Sequence, residues 1–176
     1  AAEKPKREPS LKETNPEKFL KEFNWHNYQE GIDEVEDSQL KEFEKLVSEN
    51  EIGVIKMEVV RNFGPENNFL QKVRKLATEK NIVLVFDECT SGFRETYGGI
   101  FKKYDVEPDM AMFGKTIGNG YALTAVVGKK EVMEAAQKSF ISSTFWTERI
   151  GPTAALKTLE IMDRIKSWDI ITERGS

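Results

Sequence analysis

Cysteine and histidine each occur once in the 176 residues, so no internal disulfide can form and no cysteine–histidine cluster of zinc-binding spacing exists. No metal is expected, and the lone thiol fits a reducing, cytoplasmic setting. Apolar runs are short: none approaches the roughly 20 residues that a helix needs to cross a bilayer. The stretch AAEKPKREPSLKETNPEKF at the start has no apolar segment of secretory type. A positive excess is also missing. Net charge is −4, which leaves no global positive field for nucleic acid or an anionic membrane surface. Proline (6) and glycine (12) are too sparse for a collagenous or low-complexity chain. What remains, 39% hydrophobic and 32% charged residues, is a globular profile, and the length has room for one ordinary domain.

Residues 1–30 read as a charged, irregular N-terminal segment, because its opening stretch interleaves Lys, Arg and Glu with three prolines and buries little apolar surface. Order is expected from residue 31 to 165. Leu40, Phe43, Leu46 and Val47 recur at helical spacing, with Ser38 as a candidate N-cap. Ile52 to Val60 reads as a strand, followed by turn chemistry at Asn62-Phe63-Gly64-Pro65. Phe69, Val73, Leu76 and Ala77 mark a second helix ending near Lys80-Asn81. Ile82 to Phe86 is continuously apolar, the mark of a central parallel strand covered by helices. Met110 to Phe113 and Ala122 to Gly128 read as further strands, and Lys130 to Lys138 as the start of a helix. Gly151 to Ile165 carries a helical stripe of Ala155, Leu156, Leu159, Met162 and Ile165, after which Ile170-Ile171 has nothing later to pack against. The alternation is that of an α/β fold with a mostly parallel sheet covered by helices.

In open α/β sheets, ligands gather beyond the carboxyl ends of the strands. Glu58, Asp87 and Lys115 all follow strands. Such residues commonly begin loops or cap helices, but their chemical types suggest more. A lysine at the rim of an apolar strand is expected to be partly desolvated, which would free its neutral amine to attack a carbonyl. Gly114, Gly118 and Gly120 beside it would let the backbone pass close to a flat ligand. An aspartate at a neighbouring strand end can hold a protonated ring nitrogen. An imine-forming lysine together with such an acid is what pyridoxal 5'-phosphate requires.

The residues themselves resemble a family. Val83-Leu-Val-Phe-Asp-Glu-Cys-Thr-Ser-Gly-Phe-Arg94 looks like the cofactor-aspartate motif of the class III (omega-type) pyridoxal-phosphate aminotransferases. Pro108-Asp-Met-Ala-Met-Phe-Gly-Lys-Thr-Ile-Gly-Asn-Gly-Tyr121 looks like their Schiff-base lysine motif, and the spacing, 115 − 87 = 28 residues, suits it. Ser142-Ser-Thr-Phe-Trp-Thr-Glu-Arg149 is similar to the segment that reaches the phosphate of the partner subunit's cofactor. Within the family the flavour is that of glutamate-1-semialdehyde aminomutase and related transaminases.

The resemblance implies part of the large domain of a fold-type I enzyme over 31–165, with 166–176 starting a connection to a small C-terminal domain. It implies that Lys115 attaches the cofactor and later moves a proton, and that Asp87 keeps the pyridine nitrogen protonated. Cys89 takes the position of an aliphatic residue against the ring. Thr144, with Ser143 at its side, is the implied phosphate donor across a homodimer interface. Glu58 matches the acid of a Met-Glu-Pro-Val segment although Val59 replaces the proline, and stays open between site residue and strand-end acid. His26, among Phe23, Trp25 and Tyr28, reads as a packing residue.

Family chains are much longer. The resemblance leaves the Gly-Ser-x-Ala-like phosphate loop unmatched ahead of residue 50 and the small domain unmatched after residue 165, so a partial chain is expected. The expected activity is amino-group transfer on a small amino, keto or aldehyde substrate. Intramolecular transfer of the glutamate-1-semialdehyde 2,1-aminomutase type and an inert truncated module stand as alternatives. A nucleotide-binding domain would need a Gly-rich turn or Walker lysine motif that the sequence lacks.

Overall fold

The computed structural model describes residues 40–61, 63–141, 144–145 and 148–175. The expected N-cap Ser38, His26 and the whole segment 1–30 lie outside them. Helix α1 spans 40–49. Leu40, Phe43 and Val47 turn to the core, whereas Leu46, expected in the same stripe, is exposed. Asn50 closes the helix, its backbone N–H and its side-chain amide both donating to the Leu46 carbonyl at 3.0 Å.

Strand β1, Val54–Glu58, is shorter than the run Ile52 to Val60. Its burial alternates, with Ile55 inside and Val54, Lys56 and Glu58 exposed on the other face. Helix α2, Phe69–Glu79, buries Phe69, Leu70, Val73 and Ala77. Strand β2, Val83–Asp87, has Leu84, Val85 and Phe86 all buried, as befits a strand with neighbours on both sides. Strand β3 is Met110–Phe113. Strand β4 is only Ala125–Gly128, because residues 118–122 are taken up by turns and bends.

The order is β1-β2-β3-β4. The first three strands are parallel, and β4 runs antiparallel to β3. Registers Ile55↔Leu84, Met57↔Phe86 and Phe86↔Ala111 line up one apolar face. On it, Leu84 and Phe86 meet Leu70, Val73 and Ala77 of α2, with Ile100 and Val106 from the β2–β3 connection. Ala111 and Phe113 meet Ala155 of helix α4, Ile150–Ile165, in a second cluster. Leu156 and Ile165 of the expected α4 stripe are instead 71% and 47% exposed, because α4 touches the sheet only along the side carrying Gly151, Ala155 and Thr158.

Asp109, just ahead of β3, ties four elements together. Its Oδ2 accepts from the Leu84 N–H and from Arg74 Nη1, both at 2.8 Å, and its Oδ1 from Lys129 Nζ at 2.7 Å. Burial by itself would push this carboxyl up; the Leu84 N–H, Lys129 and Arg74 outweigh it and bring the pKa down to about 2.

The segment after β4 begins as the short helix α3, Lys130–Met133, and tightens into a 3-10 turn over Glu134–Lys138. Glu148 caps α4 from outside, one oxygen accepting from the Ile150 N–H and the other from the Gly151 N–H. Past Ile165 the chain turns at Lys166 and continues as helix α5, Ser167–Gly175. Trp168 holds α5 down by packing its ring 5.3 Å from that of Tyr97, while Ile170 and Ile171 stay exposed. Among the described residues no helix is long and apolar enough to cross a membrane.

Candidate active site

Parallel pairing brings the ends of β1, β2 and β3 to one edge. Glu58 and Asp87, the last residues of their strands, are directly opposed, and Asp87 pairs onward with Met112. Since side chains alternate along a strand, Glu58 and Asp87 share a face. Lys56, two residues upstream on that face, reaches diagonally across to Asp87 Oδ2 at 2.8 Å. The other oxygen, Oδ1, accepts from the Cys89 backbone N–H at 3.2 Å. The Lys56 ammonium holds the Asp87 carboxyl below its ordinary range; partial burial works against this, and the Cys89 N–H adds to it. Asp87 is therefore a carboxylate at neutral pH.

Lys115 lies two residues past β3. Gly114 intervenes, and a Cβ built there would come 3.3 Å from Cys89 Sγ, so this backbone runs tight against the segment that follows β2. Lys115 itself is left-handed, with φ of 47°, and its carbonyl is held by the N–H groups of Gly118 and Asn119. Such a conformation costs a non-glycine residue about 1 kcal/mol, a strain typical of functional positions. Its Nζ donates to Thr90 Oγ1 at 2.9 Å.

The carboxylate of residue 87 and the amine of residue 115 are thus joined through two consecutive residues, Cys89 and Thr90. The expected desolvation of Lys115 does not occur: the lysine is exposed, because β3 gives way at Gly114 to a 3-10 turn on the open strand edge. Burial, with Asp87 beside it, pushes the Cys89 thiol up, and Lys115 and Lys56 only partly counter this. Cys89 is accordingly a protonated, weakly polar filler between the two groups.

Glu88 points the other way and is fully buried. It accepts from Ser91 Oγ at 2.5 Å and from the Phe101 N–H at 3.2 Å. That pins the turn carrying Thr90 onto the core.

Thr144 sits on an exposed turn and makes no hydrogen bond to Asp87, Cys89 or Lys115. Ser143 lies outside the described residues. Glu58 is at the site edge, where its charge acts on Lys56. Sequence reasoning missed Lys56 and Thr90. A lysine inside Val54-Ile55-Lys56-Met57-Glu58, in phase with Glu58, was the available signal for the first; Thr90 had none beyond its place in the motif.

A protonated ring nitrogen needs an anionic acceptor and an aldehyde needs an amine; Asp87 and Lys115 supply both at neighbouring strand tips, with a small side chain between them. This donor set fits pyridoxal 5'-phosphate.

A family model for class III aminotransferases matches residues 4–174. The 3-aminobutyryl-CoA aminotransferase of Cloacimonas acidaminovorans is 45% identical over 112 residues, covering 63% of this chain and 27% of that protein. The glutamate-1-semialdehyde 2,1-aminomutase of Nitrosopumilus maritimus is 34% identical over 152 residues, covering 78% and 36%. Among solved structures, the FumI protein of Sphingopyxis sp. MTA144, in its PLP internal aldimine form, superposes with a TM-score of 0.65 at 25% identity, covering 68% of this chain and 31% of that one. A thermostable (S)-enantioselective omega-transaminase from Thermomicrobium roseum superposes with a TM-score of 0.69 at 23% identity, over 77% and 33%, a likeness of fold. The chain therefore spans 27% to 36% of the length of these curated relatives.

Proposed function

We propose, since this chain belongs to the class III aminotransferase family, that it carries the lysine- and aspartate-bearing part of a pyridoxal 5'-phosphate-dependent aminotransferase acting on a small amino and keto or aldehyde substrate pair. The observation that carries this is the link from Asp87 through Cys89 and Thr90 to Lys115 at the tips of β2 and β3.

Asp87 would accept a hydrogen bond from the protonated ring nitrogen of the cofactor and, being ionised, would keep that nitrogen charged. Lys115 would present the amine that holds the cofactor and would move a proton at the substrate's Cα. Thr90 orients that amine by accepting its hydrogen bond. Cys89, its thiol protonated, offers the ring a polarisable surface. Held there, the cofactor would supply an electron-withdrawing ring. Glu58 borders the same space.

Thr144 and Ser143 serve the phosphate held by a second copy, so the active form is a homodimer. What supports this is the placement of Thr144 on an exposed turn among exposed apolar residues, Phe140, Ile141, Phe145 and Ile150.

Incubation with pyridoxal 5'-phosphate, reduction with borohydride and peptide mapping test the assignment. Label confined to Lys115 is expected, and Lys115→Ala should abolish it while the protein stays folded by circular dichroism. Label scattered over surface lysines, or unchanged in the variant, would overturn it. A second reading, intramolecular transfer, is favoured by the 34% identity to the aminomutase. The higher identity to an aminotransferase favours transfer between two molecules. A requirement for a separate amino acceptor decides for the latter.

A further inference from the structure

One cation at the site has no part in the roles above. Lys56 stands in the middle of β1, a place where a charge gains nothing from packing, and its side chain lies on the face it shares with Glu58 and Asp87. Its Nζ is 2.8 Å from Asp87 Oδ2, and Oδ1 is engaged by the Cys89 N–H. Both oxygens of the carboxylate that is to receive the ring nitrogen are therefore already occupied, one of them by a full positive charge. Lys115, the other lysine of the cluster, bonds Thr90 and leaves Asp87 to Lys56.

An ammonium and a protonated heterocyclic nitrogen are both cationic donors, and a single carboxylate must divide itself between them. We propose that Lys56 is a resident competitor for Asp87 and that it sets how tightly the protein holds its cofactor. It is a positioning residue, acting through Asp87. The proposal rests on the reading of Asp87 as partner of the ring nitrogen.

The pair is suited to exchange: the Lys56 side chain is 54% exposed, so its ammonium can return to water when the ring nitrogen arrives. Lys56 competes with the proton as well. By pairing with Asp87 it favours the ionised carboxyl, so its hold on the site matters least where that carboxyl would be protonated without it. Among the described residues, the other charged or titratable groups at the strand tips are Glu58 from β1, Cys89 after β2, Lys115 after β3 and Glu88, which turns away to Ser91 and Phe101. None of these places a second cation on Asp87.

Removing Lys56 therefore has an effect that depends on pH. At neutral pH the carboxylate is freed, and cofactor binds more tightly. In acid the freed carboxylate protonates sooner, and the advantage fades. A lysine that merely braced β1 against β2 would weaken binding at every pH when removed.

The test titrates pyridoxal 5'-phosphate into the cofactor-free full-length protein, followed by absorbance from mildly acidic to mildly alkaline pH, for wild type, Lys56→Met and Lys56→Arg. The dissociation constant of Lys56→Met should fall about fivefold near neutrality, the scale of a partly exposed ion pair, and the gain should narrow on the acid side as the freed carboxyl protonates. Lys56→Arg should restore the wild-type curve. Unchanged or weaker binding by Lys56→Met near neutrality, or a gain that widens towards acid, overturns the proposal. Failure of the underlying reading shows separately, as wild-type protein that borohydride does not label at Lys115.

Discussion

At Asp109 three donors converge on one carboxylate, and the pH dependence of folding follows from them. The group titrates at about 2 in the folded chain against an ordinary value of 3.8. Because the folded value is the lower one, its stabilisation is fully present above the unfolded pKa and is lost as pH falls through about 4 towards 2. The difference corresponds to about 2 kcal/mol. Urea unfolding of Asp109→Asn at neutral pH should show a loss of that size, and the variant's stability should be flatter than wild type's between those limits. The same residue scale shows what sequence could give. Asp87 and Lys115 are legible because each sits in a local run of neighbours that fits one chemistry. The Lys56–Asp87 pair is not, since it joins residues 31 positions apart through strand register, which no local spacing records. The exposure of Lys115 was hidden for the same reason: desolvation depends on what covers a strand tip, and a run of apolar residues does not say where cover ends.

Elements were legible where a short-range pattern decides them. Phe69, Val73 and Ala77 recur every four residues, and the helix α2 buries all three. The apolar run of β2 placed it centrally, with neighbours on both sides. The pattern misled where partners decide. In α4 the stripe suggested a broad buried face, but contact with one strand covers only a narrow one, which leaves Leu156 outside. In β4 the residues 122–124 are apolar enough for a strand yet pair with nothing until Ala125 comes opposite Phe113. The turn after β2 offers a test at this scale. A Cβ on Gly92 would lie 2.7 Å from both the Glu88 carbonyl oxygen and Phe113 Cδ1. The first is backbone in the tight turn that carries Thr90, and the second belongs to a buried ring, so neither can retreat freely. Gly92→Ala should cost about 2 kcal/mol in thermal or urea unfolding, and cofactor attachment at Lys115 should slow with it.

For the whole molecule, the informative feature is apolar surface left in water. Phe140 is 96% exposed, Phe145 and Ile150 each 64% and Leu156 71%. Isolated apolar residues on a surface mean little, but exposed apolar residues recurring between 140 and 156 are the kind of surface that proteins cover. The second copy invoked for Thr144 would do so. Light scattering of the full-length protein should give a dimer, and Phe145→Glu together with Ile150→Glu should shift it towards monomer; a wild-type monomer would count against shared sites. The sheet carries a different consequence. The amine and carboxylate are set apart by the pairing of β2 with β3 and by the turns that follow those two strands. Exchanging a segment outside that unit, such as 120–124 beyond the N–H groups that hold the Lys115 carbonyl, for that of a relative should then keep the separation, which makes the end of that turn the natural cut point for altering what borders the pair.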